Sequence, residues 1–277
     1  MIRHPISHIV LLFLFFLPAA GQRIAVLTPE KNDASGRFAE KLAASLAAKF
    51  RVLDAALGEA AFAAVAPETP FNLTTEEARS LGAAIGGDGF LLVRAAIQPR
   101  NSFEKKEYFE AYAVVCAVST RTGRLVFWKL ASFNADRRDA AEKLLLEAVP
   151  ALAGELAEKL PAVFKRETVE NKPVLDEIPD PDSPAAKNFR TPLPYRRISP
   201  PYTATANLYR VAATVDIEVD FDETGRVTRT EIVRWAGFGL DEAVEETVRR
   251  MNWRPAVRDG RPLPVRVLLR YNFKKLE

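Results

Sequence analysis

A proline-rich stretch between residues 165 and 200 divides this chain into two parts. Eight prolines occur from Pro173 to Pro201, and the hydrophobic periodicity that marks packed helices and strands stops there. Proline favours the extended polyproline II conformation, so a stretch of this length would reach up to roughly 100 Å if fully extended. The sequence therefore predicts two folded domains, residues 22–164 and 201–277, joined by a proline-rich linker.

Residues 1–21 have the pattern of a secretory signal peptide. Arg3 and His4 precede an apolar run over residues 9–17, and small residues follow Pro18. This order is typical of a segment that is removed on export. A retained membrane anchor is the alternative, although a spanning helix needs about 20 apolar residues. We expect an exported chain that starts near Gln22, and a membrane-bound one only if the segment is kept.

Composition excludes several classes of function. Removal of the signal would take away Arg3 and both histidines, His4 and His8, and would lower the net charge from +3 to +2. Such a chain cannot build a Ser-His-Asp triad or a histidine-ligated metal site. The lone cysteine, Cys116, lies in an apolar stretch and is interpreted as a small buried hydrophobe. We expect no enzyme, no cofactor, no metal site and, without a clustered basic face, no nucleic-acid partner.

The first domain mixes the periodicities of strands and helices. Apolar residues recur every four positions from Phe38 to Phe50, which predicts a helix capped by Ser35. The other predicted helices cover 59–65, a stretch that starts at Thr74 or Thr75 and ends at Gly86-Gly87-Asp88-Gly89, and 137–160 with a break or kink at Pro150. The predicted strands are 24–27, 51–53, 90–93, 109–119 and 125–133. The predicted order is β-α-β-α-α-β-β-β-α, a mixed sheet with helices packed on it.

The second domain has a clearer pattern. Apolar residues alternate with carboxylates from Val215 to Phe221, which places the two kinds of side chain on opposite faces of a strand. A return strand over 226–235 breaks this parity and so predicts a β-bulge. An amphipathic helix from Asp241 to Met251 and an alternating strand from Val265 to Phe273 complete a β-β-α-β module. The whole chain is therefore expected to be an α+β protein of two small mixed domains.

Two arginines on the last strand allow two interpretations. If that strand pairs with the first, Arg266 and Arg270 can lie beside Asp216, Glu218 or Asp220 on the solvent face, and such cross-strand pairs contribute about 0.2 to 1 kcal/mol each. Alternatively, the arginines form an exposed binding strip.

The carboxy-terminal domain resembles the TonB carboxy-terminal domain family. The matching pieces are Tyr202, Ala206, the Val215 strand ending at Gly225-Arg226-Val227, Gly239-Leu240-Asp241, Trp253-Arg254-Pro255-Ala256, Gly260-Arg261-Pro262 and Phe273. Two residues depart from the family pattern, because Ala213 stands in place of a usual glycine and Thr203 in place of a common proline.

The first domain resembles the periplasmic group that contains the TolB amino-terminal domain, CsgG and LpoB. The resemblance is carried by the element order together with Ile24-Ala25-Val26-Leu27, Phe50-Arg51-Val52-Leu53-Asp54 and Ser119-Thr120-Arg121-Thr122-Gly123. It implies an interaction domain of the cell envelope rather than a catalyst.

Together the two resemblances imply a non-enzymatic, periplasmic, bacterial protein that binds an envelope partner by strand addition. The implied binding edge is the last strand: Val265, Arg266, Val267, Leu268, Leu269, Arg270, Tyr271, Asn272 and Phe273. A segment of an outer-membrane transporter is one candidate partner, and a second copy of the chain, in a homodimer, is another. The alternatives are a structural adaptor of an envelope or peptidoglycan-synthesis assembly and, if residues 1–21 are kept, an inner-membrane-anchored energy transducer.

Overall fold

A computed structural model of the chain describes residues 21–103 and 106–274. The predicted signal peptide therefore lies outside the described residues, except for Gly21. The first domain contains β1 (Arg23–Leu27), α1 (Asp33–Leu46), β2 (Arg51–Val52), α2 (Ala55–Val65), α3 (Thr75–Ile85), β3 (Gly89–Arg100), β4 (Tyr108–Ser119), β5 (Leu125–Ala135), α4 (Arg138–Glu147) and α5 (Val149–Arg166). This order confirms the predicted succession of strands and helices.

Several elements differ from their predicted bounds for local reasons. Helix α1 begins at Asp33, because Asn32 caps it in place of the predicted Ser35, and the Asn32 side chain accepts from the Ser35 amide. Helix α2 begins at Ala55 because the Asp54 side chain accepts hydrogen bonds from the first turn. The predicted helix over 137–160 is split at Ala148, and Pro150 lies in the first turn of α5, where a missing N–H costs nothing. Strand β3 continues to Arg100 because it pairs with β4 along its whole length.

Strands of the first domain form one five-stranded sheet in the order β2-β1-β3-β4-β5. One face packs against α1, α4 and α5 through a core that includes Phe38, Leu42 and Leu156. The other face packs against α2, α3 and the second domain, and this core includes Phe90 and Trp235. Both faces of the central strands are therefore buried, which explains their nearly continuous apolar sequence.

The second domain contains the predicted β-β-α-β module. Its elements are α6 (Ala204–Leu208), β9 (Ala213–Phe221), β10 (Val227–Arg234), α7 (Leu240–Arg250), β11 (Trp253–Arg254), β12 (Ala256–Arg258), β13 (Arg261–Leu263) and β14 (Val265–Phe273). The last strand pairs antiparallel with β9 over its full length, from Val265 opposite Phe221 to Phe273 opposite Ala213. Register shifts in β10 confirm the bulge that its broken parity predicted.

The segment between the domains lies along the second domain. It contributes the short strands β6 (Asp176–Glu177), β7 (Phe189–Arg190) and β8 (Leu193–Pro194). These strands pair with β14, β12 and β11, respectively. The segment therefore does not separate the domains in this structure, and its backbone is held by the module that follows it.

Candidate partner-binding edge

Strand β14 lies near one side of the carboxy-terminal sheet, whose order is β10-β9-β14-β6. Beyond it, β6 pairs with only Val265 and Arg266. Among the described residues, the outer side of 267–273 has no strand partner. The structure thus brings the nine residues of the implied edge together on one strand and leaves an open length of seven.

Side chains of β14 alternate between the core and the outer face. Val265, Val267 and Phe273 are buried, whereas Leu268 on the outer face is 56% exposed. Leu269 and Tyr271 share the core face but are only partly buried, because they lie at the open part of the edge.

The outer face carries two arginine–aspartate pairs between β14 and β9. Arg266 donates to both carboxylate oxygens of Asp220, at 2.7 and 2.8 Å, and Arg270 donates to both oxygens of Asp216, at 2.7 and 2.9 Å. These hydrogen bonds raise the pKa of both guanidinium groups. The cross-strand interpretation is therefore confirmed, because both arginines bind aspartates of the neighbouring strand.

Both aspartates are buried, at 3% exposure for Asp216 and 1% for Asp220. Strand alternation alone predicted a solvent-facing row of carboxylates, and that expectation is wrong for these two residues. Each has a second arginine nearby, since Arg234 lies 3.3 Å from Asp216 and Arg229 lies 3.9 Å from Asp220. Multiple cationic partners offset the cost of removing a carboxylate from water.

Residues 167–177, which we call the strap, cross this outer face. Glu167 accepts a hydrogen bond from Thr122 of the first domain, and Lys172 forms ion pairs with Glu218 and Glu231. Arg266 also donates to the carbonyl oxygen of Pro173 at 3.3 Å. The strap ends at β6, where Asp176 accepts from Arg258 at 2.7 Å. Hydrophobic periodicity contains no signal for this contact, because the strap binds through charges and backbone groups.

A cavity of about 360 Å³ lies beside the open edge. Leu269, Arg270 and Tyr271 form one side, residues 192–194 and 197–200 form the opposite side, and Met251 and Trp253 complete the lining. We call it the proline pocket. The prolines at 192, 194 and 200 were interpreted as linker residues, and only tertiary pairing of β8 with β11 places them next to β14.

The two domains share an interface centred on Asn72. Its side-chain nitrogen donates to the carbonyl oxygens of Thr214 and Trp235, at 2.8 and 2.7 Å, and its oxygen accepts from the Thr214 amide at 2.9 Å. The indole N–H of Trp235 donates to the carbonyl oxygen of Gly123 at 3.1 Å. A buried amide with three satisfied hydrogen bonds fixes the relative position of the two domains.

A second polar contact joins the domains at Glu110. Burial acts to raise the pKa of this carboxyl, but hydrogen bonds from Ser132, Tyr209 and Arg100 outweigh it and leave the pKa below its usual value. Burial and the Glu110 contact raise the pKa of Tyr209 to about 12. Glu110 thus has a structural role in the interface, where it accepts from Ser132, Arg100 and Tyr209.

A larger cleft of about 630 Å³ runs between β5 and β10. Arg124 bridges it to Glu231 at 3.2 Å. Burial acts to raise the pKa of Glu231, but Arg229 and Lys172 lower it to about 2. The charged groups of this cleft are thus largely paired with one another.

Cys116 is 2% exposed, which confirms its interpretation as a buried residue. Burial raises the pKa of its thiol to about 12, so the thiolate is not formed at neutral pH. In the described part of the chain, no cluster of three or more histidine, cysteine, aspartate or glutamate side chains has the geometry of a metal site. None of the helices there has the length and hydrophobicity needed to span a bilayer.

Comparison with known proteins finds a family match in the carboxy-terminal part of the chain. Residues 198–275 match the family model for the Gram-negative bacterial TonB protein C-terminal. No curated protein matches the sequence significantly.

Several solved structures are similar to about half of the chain. A lipoprotein from Neisseria meningitidis has 19% identity and a TM-score of 0.35, covering 50% of this chain and 99% of that one. A hypothetical protein from Chlamydia trachomatis has 13% identity and a TM-score of 0.34, covering 53% and 99%. The LpoB C-terminal domain from Salmonella enterica has 16% identity and a TM-score of 0.29, covering 41% and 82%.

The residues that carried the carboxy-terminal resemblance, from Tyr202 to Phe273, all fall inside the matched region. They now have structural explanations, since Trp253 is buried against Phe221 and Gly225 has a positive φ of 82° at the β9–β10 turn. The match to the TonB protein C-terminal family model covers residues 198–275, a minor part of the chain.

Proposed function

We propose that this chain is a non-enzymatic periplasmic protein that binds an envelope partner by adding the partner's extended segment to the edge of β14. The observation that carries the proposal is the open length of that edge, residues 267–273. An unpaired edge presents a row of backbone donors and acceptors, and an added strand can satisfy them.

The proposal has further support in the way that charge is distributed. Arg266 and Arg270 are engaged by buried aspartates, so the outer face offers few unpaired charges to a ligand. Recognition through the backbone of β14 therefore fits this surface better than recognition of an acidic peptide by an arginine strip.

Photo-crosslinking in cells tests this function. A photoreactive amino acid at Leu268, which is exposed on β14, is expected to capture a defined envelope protein. The same substitution at Leu57 on α2 is the matched control, because the two leucines are 56% and 48% exposed. Adducts of equal yield and identity from the two positions would contradict binding at β14.

A structural adaptor is the second candidate, and the domain interface favours it. The interface around Asn72, Trp235 and Glu110 makes the two domains one packed unit, which is suited to holding partners at a fixed separation. In this case the first domain also binds a partner. Phe103, which is fully exposed and follows β3 in the sequence, is the position from which a crosslink would reveal that partner.

The alternative of an anchored energy transducer depends on residues 1–21, of which the structure describes only Gly21. Membrane fractionation and amino-terminal sequencing of the native protein distinguish the anchored transducer from the unanchored protein. A mature start near Gln22 in the periplasmic fraction supports the unanchored protein, whereas an intact start at Met1 in the membrane fraction supports the transducer.

A further inference from the structure

The proline pocket opens on the core face of β14, beside the part of the edge that has no strand partner. Leu269 and Tyr271 form its inner side, and both point to the same face of the sheet as buried Val267 and Phe273. Most of its lining residues are apolar, and those with polar side-chain groups are Arg197, Ser199, Arg270 and Tyr271.

The opposite wall of the pocket is held in place by backbone pairing. Leu193 and Pro194 pair with Arg254 and Trp253, and the Tyr195 amide donates to the carbonyl oxygen of Asn252 at 2.9 Å. Because this wall is already ordered before binding, less conformational entropy is lost when a ligand binds.

Strand geometry connects the edge to the pocket. On an added strand, the residue directly opposite Leu269 or Tyr271 projects to the same face, with its Cβ about 4.5 to 5.5 Å from that neighbour. That face opens into the proline pocket. A side chain at this position therefore enters the pocket, while its two neighbours in sequence face outwards over Leu268 and Arg270.

The strap limits where such a strand can lie. Because β6 already pairs with Val265 and Arg266, an incoming segment must align with 267–273 and stop before β6. Only a few registers remain, and in each of them an inward-facing residue passes the pocket.

We propose that the proline pocket is a specificity pocket for an apolar side chain of the partner's added strand. The occupant is an extended segment of an envelope protein that carries a leucine, isoleucine or phenylalanine opposite Leu269 or Tyr271. This inference rests on the proposed function, and it adds a sequence requirement that backbone pairing alone does not impose.

Fluorescence anisotropy with the full mature chain tests the pocket. The probes are short synthetic peptides of alternating threonine and serine that differ only at one central residue, which is leucine, phenylalanine or glutamate. The peptides with central leucine or phenylalanine are expected to bind about tenfold more tightly than the peptide with glutamate, as one buried side chain allows.

A pair of variants assigns the preference to the pocket. Leu193→Asp places a charge in the pocket wall, and Leu57→Asp makes the same change at a leucine of nearly equal exposure, 48% against 49%. We expect Leu193→Asp to abolish the preference for the apolar peptides and Leu57→Asp to retain it. Circular dichroism of both variants verifies that they fold, and Leu193→Ala, which removes side chain without adding charge, is expected to weaken the preference if Leu193→Asp does not fold.

The outcomes distinguish failure of the specificity pocket from failure of the proposed strand addition. Equal binding of all peptides, a preference that survives in Leu193→Asp, or no binding of any peptide would each overturn the specificity pocket. Capture of a partner from Leu268 in cells would still support strand addition at β14 in all three cases.

Discussion

At the scale of single residues, the two buried aspartates of β9 determine how the outer face of the carboxy-terminal sheet is organised. Asp216 and Asp220 lie on the side of β9 that alternation assigned to solvent. Each faces an arginine on β14 in direct register. The primary role of these two arginines is thus to stabilise the sheet and not to recognise a partner.

Substitution of Asp220 by alanine tests this role. It leaves Arg266 and Arg229 without their shared carboxylate in a place with little water access. We expect the free energy of unfolding to fall by about 2 to 3 kcal/mol, less than for a fully buried pair because Arg266 is partly solvated. Urea denaturation measures the change.

A double-mutant cycle and a surface control complete this test. Alanine at both Asp220 and Arg266 should reveal a coupling energy of about 1 kcal/mol or more. Glu223→Ala, in the exposed turn after β9, should change stability by less than about 0.5 kcal/mol. Absence of coupling would contradict a stabilising pair.

Asp241, in the first turn of α7, gives the chain a pH dependence near neutrality. Burial raises the pKa of this carboxyl from 3.8 to about 7, although the amides of Ala236 and Gly237 donate to it. A folded-state pKa above the unfolded one means that the folded protein binds the additional proton. The stabilisation is therefore fully present below about pH 4 and is lost as the pH rises through 7.

Replacement of Asp241 by asparagine should flatten this dependence. We expect the melting temperature of the natural chain to fall between about pH 5 and pH 8, and that of the variant to change less over the same window. Asparagine can accept only one of the two amide hydrogen bonds, which also changes the absolute stability of the variant. The comparison is therefore made on the slope of melting temperature against pH and not on absolute stability. Differential scanning calorimetry at both pH values measures the change in melting temperature for each protein, and equal changes would contradict a raised pKa of Asp241.

At the scale of elements, the β4–β5 turn shows why one glycine cannot be replaced. Gly123 has a φ of +72°, and a Cβ built on it would lie 1.9 Å from the carbonyl oxygen of Thr75. Its own carbonyl accepts from the Trp235 indole. The turn thus joins the first sheet to helix α3 and to the second domain at one point.

Gly123→Ala should be strongly destabilising for this reason. We expect a loss of about 2 kcal/mol or more, from the left-handed backbone and the forced displacement of α3. Gly154→Ala is the matched control, because Gly154 lies in α5 with open space around its Cβ position. That change should stabilise the chain by about 0.5 to 1 kcal/mol, and opposite signs in thermal unfolding are the expected result.

Most elements were predictable from local pattern. Helix α7 follows from an apolar face with acids in its first turn and arginines in its last, and β9 follows from alternation. Strands β6, β7 and β8 were not predictable, because two-residue strands have no periodicity and form only where a partner edge is presented. The candidate edge was therefore identified in advance, but the strap and the pocket beside it were not.

At the scale of the whole molecule, the two domains share one of the two cores. Trp235 of the second domain lies in the same buried cluster as Phe90 of the first. Asn72 fixes this packing with three hydrogen bonds. We therefore expect cooperative unfolding of the two domains as one unit.

Asn72→Ala should break that cooperativity. It leaves the Thr214 amide and two carbonyl groups unsatisfied at the interface, at an expected cost of about 2 to 4 kcal/mol. Calorimetry is expected to show one transition for the natural chain and two for the variant. Asn171→Ala, at an exposed position of the strap, should retain a single transition.

Sequence by itself determined the local elements and the resemblance of the carboxy-terminal part to a TonB carboxy-terminal domain, because periodicity and turn residues act over short distances. Tertiary structure decided that the aspartates of β9 are buried, that the strap covers part of the β14 edge and that the prolines at 192–200 form a pocket wall. The physical reason is that these contacts join charged and backbone groups far apart in the chain, and such pairings have no local signature in the sequence.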